Sequence, residues 1–215
     1  MPFLDDARDR TKVIRERVLG HPFVLGLGDG SLDPDRFRFY LTQDSLFLIT
    51  YARVLGLAVA KTPELAVMAR LGSLLDATLN VEMDLHRAMC TRFGIPPAEL
   101  EAAEPTGACR AYTNHLLATE WPGTLGEICA ALVPCQHGYA EIASLLAPTS
   151  PAGNQYQEWI DTYTSSDYVE LAAWLCALTD RLADRCSEDQ RERMLSAYAA
   201  SAEHELAFWD MAWGA

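Results

Sequence analysis

Residues 33–61 read DPDRFRFYLTQDSLFLITYARVLGLAVAK, and this stretch decides the fold class. It opens with Asp33 and Pro34, a pair that is typical of a helix N-cap followed by the first helical position. Apolar side chains then cover nearly the whole circumference of the predicted helix between residues 45 and 60. A helix of this kind lies in the middle of a bundle or at a subunit interface.

Helical periodicity continues through the rest of the chain, and alternating strand patterns are almost absent. The sequence therefore predicts one all-α domain over residues 1–215, a helical bundle of about seven to nine helices. A Gly-rich stretch at residues 20–32, which contains GLGDG, is predicted to be a connection rather than a phosphate cradle. The predicted helices span residues 5–19, 33–61, 62–93, 110–120, 124–146 (interrupted at Pro134), 155–163, 166–186 and 188–213.

Composition and charge exclude several classes of partner. The net charge is −13 and the 17 basic residues form no run, which argues against a nucleic-acid partner. The charged N-terminus does not resemble a signal peptide, and no apolar run approaches the ~20 residues of a membrane span. None of the six cysteines forms a CxxC pair. We therefore expect reduced thiols, a cytoplasmic location and no membrane partner.

The first candidate for chemistry is LVPCQHGYAE, residues 132–141. A proline inside a helix removes one backbone hydrogen bond, so Pro134 is predicted to kink the helix beside Cys135. A new helix start after the break would lower the pKa of the thiol. Tyr139 follows one turn later on the same face, whereas His137 does not share that face. The alternative is an inert core cysteine beside a packing kink.

Two further helical faces carry a carboxylate among apolar residues. Asp44, Phe47 and Tyr51 are spaced i, i+3 and i+7, and Glu205 precedes Phe208 by three residues. A carboxylate packed against aromatic rings has a raised pKa, which suits a general acid. The alternatives are an aspartate that is paired with an arginine and a last helix whose glutamates face solvent.

Metal chemistry has weaker support in the sequence. A di-iron carboxylate bundle needs paired Glu-x-x-His motifs, and no acidic residue lies three positions before any of the five histidines. Glu82/His86 and His137/Glu141 are i, i+4 pairs, which are more often surface pairs than metal ligands. No metal site is predicted.

Several motifs together resemble the TenA family, also called thiaminase II. They are HPFVLGLGDGSL, RFRFYLTQDSLFLITYARVLGLAVAK, LVPCQHGYAE, Y-x-x-W-I-D-T-Y at residues 156–163 and EHELAFWDMAW, in this order from residue 21 to residue 213. The resemblance implies a haem-oxygenase-like fold without haem, a homotetramer, and no metal or organic cofactor. In its cysteine-containing branch the family hydrolyses 4-amino-5-aminomethyl-2-methylpyrimidine to the hydroxymethylpyrimidine, and it also cleaves thiamine.

The same resemblance implies roles for individual residues. Cys135 matches the nucleophile, Glu205 the acid/base, and Asp44 the carboxylate that orients the aminopyrimidine. Phe47 stands where family members often have tyrosine, so one hydroxyl is missing. Further positions match a substrate pocket: Tyr51, Tyr112, Tyr139, Tyr163 and Phe208. Two rival functions stay open at this point, a non-catalytic pyrimidine-binding or regulatory protein and a metal- or haem-dependent oxidase on the same fold.

Overall fold

The fold is built from twelve α-helices, and the chain contains no β-strand. The structure is a computed structural model and describes residues 1–215. One π-helical turn, Ala77–Glu82, joins α5 to α6, and one 3₁₀ turn, Ala147–Thr149, follows α9. The helices are α1 Phe3–Arg10, α2 Lys12–Leu19, α3 Pro22–Asp29, α4 Pro34–Lys61, α5 Leu65–Asp76, α6 Met83–Arg92, α7 Pro97–Glu101, α8 Gly107–Glu120, α9 Leu125–Leu146, α10 Gln157–Tyr163, α11 Ser166–Ala183 and α12 Glu188–Trp213.

Helix α9 lies at the centre of the bundle and packs against α3, α4, α8, α10, α11 and α12. Every residue from Gly126 to Gln136 is buried. Its start is fixed by a capping box, in which the Thr124 side chain and the Glu127 carboxylate each satisfy a backbone N–H of the first turn. A single core of 52 buried residues joins the helices. The all-α prediction is confirmed.

The start of α4 agrees with the sequence prediction. The Asp33 carboxylate accepts a 2.8 Å hydrogen bond from the Asp35 N–H, and Pro34 occupies the first helical position. By length and composition α4 could cross a membrane, but 56% of its most apolar window is buried inside the protein. This burial is typical of a core helix, because its apolar surface is covered by neighbouring helices.

The predicted count of seven to nine helices was too low, because breaks and short helices are weakly marked in sequence. Residues 5–19 were predicted as one helix, but the chain breaks at Thr11, whose hydroxyl bonds back to the Ala7 carbonyl at 2.8 Å. The helix predicted from residue 62 begins at Leu65 instead, and it changes to π-helical geometry at Ala77.

The Gly-rich stretch was wrongly predicted as a connection, since Pro22–Asp29 forms helix α3. Its glycines serve close packing. A Cβ atom on Gly28 would lie 2.6 Å from Cδ2 of Leu146, and one on Gly26 would lie 3.1 Å from the Leu32 nitrogen. The helix ends at Gly30, whose φ of +80° favours glycine. Packing against the end of α9 outweighs the low helix propensity of glycine here.

Candidate active site

Cys135 lies in the middle of the uninterrupted helix α9, and only 7% of its surface is exposed. The predicted interruption at Pro134 is wrong, because the helix continues through the proline to Leu146. No new helix start lies beside the thiol. Burial raises the pKa of Cys135 well above its ordinary value, and the charges of Glu205, Glu82 and Asp44 raise it further. The expected low pKa of the thiol is therefore wrong for the substrate-free protein.

Glu205 points inward from α12, whereas Glu203 on the same helix is exposed. The Tyr112 hydroxyl donates a 2.7 Å hydrogen bond to Oε1 of Glu205. Burial raises the pKa of Glu205 to about 8, the Tyr112 hydrogen bond opposes the rise, and Asp44 adds to it. The alternative of a last helix with both glutamates in solvent is excluded. At neutral pH the carboxyl is largely protonated and fits an acid/base role.

Asp44 is 2% exposed and has two partners that the sequence analysis did not identify. The Tyr40 hydroxyl donates a 3.0 Å hydrogen bond to its Oδ2. Nε2 of His86 lies 2.9 Å from the same oxygen, but the contact is poorly aligned for a hydrogen bond. Tyr40 precedes Asp44 by four residues on α4, so its spacing was a usable signal. His86 comes from α6 and had no such signal.

The predicted pocket residues form one continuous set of aromatic contacts. The Phe47 ring lies 4.7 Å from Tyr112, 5.8 Å from Tyr51 and 5.9 Å from Phe208, measured between ring centroids. Tyr40 lies 6.3 Å from Phe208 and thereby links this group to the next one.

The second group surrounds Tyr139, which follows Cys135 by one helical turn. Its ring lies 5.0 Å from Tyr163, and a 3.3 Å hydrogen bond joins its hydroxyl to that of Tyr40. The Tyr163 hydroxyl and the Trp209 indole N–H are fully buried without a hydrogen-bond partner. Buried groups of this kind normally have partners, so both are available to a ligand.

Two cavities lie beside the site, although Cys135 and Asp44 line neither of them. A cleft of about 520 Å³ extends from the π-helical turn to the start of α11, and Glu82 and Gln136 line it. Gln136 directly follows Cys135, and its Oε1 accepts a 3.2 Å hydrogen bond from Tyr51. A smaller cavity of about 60 Å³ on the α2 side is lined by Pro134, His137 and Glu205, among others.

Residues 8–215 match the TENA/THI-4/PQQC family. The chain belongs to this family. An aminopyrimidine aminohydrolase of Halalkalibacterium halodurans is 40% identical over 99% of this chain and 96% of that protein. The enzyme of the same name from Bacillus subtilis is 33% identical over 99% of this chain and 90% of that protein.

Solved structures of the family share the fold. A TenA homologue from P. horikoshii OT3 is 29% identical and has a TM-score of 0.90, with 100% of this chain and 99% of that chain covered. A TenA family transcription regulator from Silicibacter sp. TM1040 is 30% identical and has a TM-score of 0.92, covering 98% and 96% of the two chains. The predicted resemblance to the TenA family is confirmed.

Within this TENA/THI-4/PQQC chain, the two histidine pairs lie in different surroundings, and only Glu82/His86 departs from the expected surface pair. Glu82 and His86 are both buried beside Asp44 and are not a surface pair. His137 instead lines the smaller cavity, where its Nε2 lies 3.5 Å from a guanidinium nitrogen of Arg8. No group of three or more His, Cys, Asp or Glu side chains has an arrangement that could hold a metal ion.

Proposed function

We propose that this protein is a hydrolase of thiamine salvage that converts 4-amino-5-aminomethyl-2-methylpyrimidine to the hydroxymethylpyrimidine and ammonia, and that also cleaves thiamine. The observation that carries the proposal is the convergence of Cys135, Glu205 and Asp44 in one aromatic-lined, buried site. The family relationship and the relatives named aminopyrimidine aminohydrolase support the reaction class.

Binding comes first in the proposed mechanism. The Asp44 carboxylate, which Tyr40 holds by a hydrogen bond and which His86 contacts, accepts hydrogen bonds from the amidine-like edge of the ring. The rings of Phe47, Tyr112 and Phe208 stack on or border the heterocycle. The buried Tyr163 hydroxyl supplies a further hydrogen bond at the ring edge. These contacts place a ring carbon near the sulfur of Cys135 and reduce the entropic cost of attack.

The chemical step starts from a protonated thiol, because the pKa of Cys135 is raised. Sulfur adds to a ring carbon while the electrons of the C=N bond move to the ring nitrogen. That nitrogen takes a proton from Glu205, and the resulting carboxylate takes the proton of the thiol. The electron pair on nitrogen then expels the protonated C5-methylene amine as ammonia, which takes the proton of Glu205 and departs as ammonium.

Hydrolysis completes the cycle. The exocyclic methylene left on the ring is electrophilic and adds water, and Glu205 accepts the proton of that water. Breakage of the carbon–sulfur bond restores the aromatic ring and releases the thiolate, which recovers its proton. The side chains of Cys135 and Glu205 supply every group transfer in this sequence, so the proposed reaction uses no metal or organic cofactor.

The proposal is tested by incubating the protein with the aminomethylpyrimidine and with thiamine while product and ammonia are measured. We expect turnover by the wild-type protein and a loss of about 10³-fold or more in Cys135→Ser, because an alcohol is a far weaker nucleophile here. Intact-mass analysis during turnover should show a pyrimidine adduct that Cys135→Ser lacks. A Cys135→Ser protein with a near wild-type rate would contradict covalent catalysis.

A non-catalytic regulatory function is the second candidate, since one structural relative is described as a transcription regulator. The same incubation separates the two, because a regulatory protein would bind the pyrimidine and release no ammonia. The charge of −13 does not favour direct contact with DNA.

We also propose a cytoplasmic homotetramer. Helix α4 leaves Ile49 and Leu57 exposed at 42% and 36% on the outside of the subunit, and a subunit contact would cover them. Light scattering would distinguish a tetramer from the 23.8 kDa monomer, and cell fractionation would test the location.

A further inference from the structure

The charged side chains that line the cleft of about 520 Å³ are all acidic, and one of them, Glu158, also pairs with Arg92 outside the lining. Glu82 forms part of its inner wall, and Glu158, Asp161 and Asp167 line it farther out. No Lys, Arg or His side chain lines the cleft. Its volume lies within the ~300–1,000 Å³ range of small-molecule sites. A low-dielectric cleft with carboxylates of one sign concentrates the electric field and attracts cations.

Glu82 is the unusual member of this lining, because it is only 8% exposed and no Lys or Arg pairs with it. The hydroxyls of Tyr163 and Thr78 lie nearby and slightly favour its ionised form, but the Tyr163 hydroxyl is not aligned to bond with any group. Burial, followed by the charge of Asp44, raises the pKa of Glu82 to about 7. A buried carboxylate without a cationic partner is costly, and a bound cation would remove this cost.

The position of Glu82 relative to Asp44 indicates which part of a substrate it meets. The two carboxylates are close enough for Asp44 to raise the pKa of Glu82. If Asp44 holds the 4-amino group and the adjacent ring nitrogen, the neighbouring ring position is C5. Glu82 and Gln136 line the cleft, and Gln136 directly follows Cys135, so the cleft is the space next to the reacting centre that a C5 substituent would enter.

We propose that this cleft is a leaving-group subsite for a positively charged C5 substituent of the aminopyrimidine, with Glu82 as its counter-ion. The inference rests on the proposed function, and it adds the residue that recognises the positive charge of the leaving group, whether a protonated aminomethyl group or a bulkier quaternary thiazolium. Neutral substituents, such as a formylated aminomethyl group, gain nothing from Glu82. The outer carboxylates attract the cation from solvent, and Glu82 pairs with it inside.

The test compares kcat/KM of wild type and Glu82→Gln for three substrates at near-neutral pH. We expect Glu82→Gln to lower kcat/KM for the aminomethylpyrimidine and for thiamine by about tenfold or more. The value for the neutral N-formyl aminomethylpyrimidine should change less than about threefold. Equal losses for charged and neutral substrates would overturn the proposal. Glu64→Gln is the matched control, because Glu64 pairs with Arg181 at the surface and does not line the cleft.

A second variant tests the proposal even if Glu82→Gln does not fold. Ala77 is half-buried in the π-helical turn and lines the cleft. Ala77→Leu should reduce cleavage of thiamine, which has the bulky leaving group, at least about fivefold more than hydrolysis of the aminomethylpyrimidine. Identical effects on both substrates would contradict the assignment of the cleft to the leaving group.

Binding measurements can test the leaving-group subsite even if the proposed catalytic function is wrong. Calorimetry would compare Cys135→Ser with the double variant that also carries Glu82→Gln. The double variant should bind thiamine more weakly, and both proteins should bind the neutral hydroxymethylpyrimidine equally well. If the wild-type protein released no product, the proposed function would fail, and this binding difference would still decide the subsite. Equal binding of both compounds by the two variants would overturn the subsite even in an active enzyme.

Discussion

The Tyr112 hydroxyl donates a 2.7 Å hydrogen bond to Oε1 of Glu205, and both side chains are almost completely buried. This bond favours the ionised carboxylate and holds the pKa of Glu205 below the value that burial alone would produce. In Tyr112→Phe the pKa should rise above about 8. If protonated Glu205 is the acid, the alkaline limb of the kcat/KM profile should move upward by about one pH unit.

Tyr156→Phe is the control for this prediction. Its hydroxyl is equally buried and donates a 2.6 Å hydrogen bond to the Leu32 carbonyl, away from Glu205. The control should lower stability by about 1 kcal/mol without moving the pH limb. A limb that stays in place in Tyr112→Phe would show that another group sets the alkaline pKa.

The raised pKa of Glu205 also predicts a dependence of stability on pH. In the unfolded chain this carboxyl titrates near 4.5, and in the folded protein near 8. Folding therefore favours the protonated form, so the contribution of Glu205 is fully present below pH 4.5 and is lost as pH rises through 8. Glu205→Gln cannot ionise, and its free energy of unfolding relative to wild type should rise by about 2–4 kcal/mol between pH 5 and pH 8.

Urea unfolding at both pH values measures this difference. Glu203→Gln, on the exposed side of the same helix, should follow the wild-type pH dependence. Parallel curves for wild type and Glu205→Gln would mean that Glu205 titrates normally in the folded protein. The same reasoning gives Glu82→Gln a smaller effect, because the pKa of Glu82 is raised only to about 7.

His86 is predicted to act as a positioning residue through its contact with Asp44. Their side chains are each only 3% exposed, and Nε2 of His86 lies 2.9 Å from Oδ2 of Asp44. In His86→Leu the carboxylate would keep Tyr40 as its only partner, so KM for the aminopyrimidine should rise about tenfold while kcat falls less. A substitution that merely damaged the fold would lower the amount of active enzyme and leave KM unchanged.

Rescue and control variants sharpen the His86 prediction. His86→Gln retains an N–H donor and should recover much of the lost affinity. His137→Gln alters a histidine that lines the smaller cavity beside Arg8, and KM should not change. If His86→Leu and His137→Gln gave the same kinetics, a positioning role for His86 would be excluded.

Local sequence signals identified the helices better than they identified the environment of the site. Capping residues fixed the start of α4, and α12 begins at Glu188 as predicted. The glycines of α3 looked like a loop, because their close packing against Leu32 and Leu146 depends on segments distant in sequence. Propensity alone could not reveal that tertiary contact.

The site residues that the sequence motifs marked lie close together in the structure. The sequence did not reveal the neighbouring groups that set the charge state of these residues. Glu82 and His86 share one helical spacing that is common on surfaces, so nothing local showed that both would be buried beside Asp44. The same limit explains the error over Cys135. A proline in sequence marks a missing hydrogen bond, but whether the helix ends or continues depends on the packing around it.

Pro134 itself supplies the last prediction, because it lies inside a continuous helix directly before Cys135. The Ala130 carbonyl lacks its usual N–H partner at residue 134, and a proline in a helix interior costs about 3 kcal/mol. Pro134→Ala should therefore raise the free energy of unfolding by about 1–3 kcal/mol. If the proline sets the position of the thiol, the same variant should lose about tenfold in kcat, since small misplacements of a nucleophile are costly.

Gly138→Ala is the matched control, since it lies in the same helix and an added Cβ atom meets nothing within 4 Å. It should stabilise the helix by about 0.5–1 kcal/mol with unchanged kcat. This control separates general stiffening of α9 from a shift of Cys135. Stabilisation of Pro134→Ala without any loss of kcat would make the proline a packing feature only, and placement of the nucleophile would then rest on the contacts around Cys135 from α4 and α12.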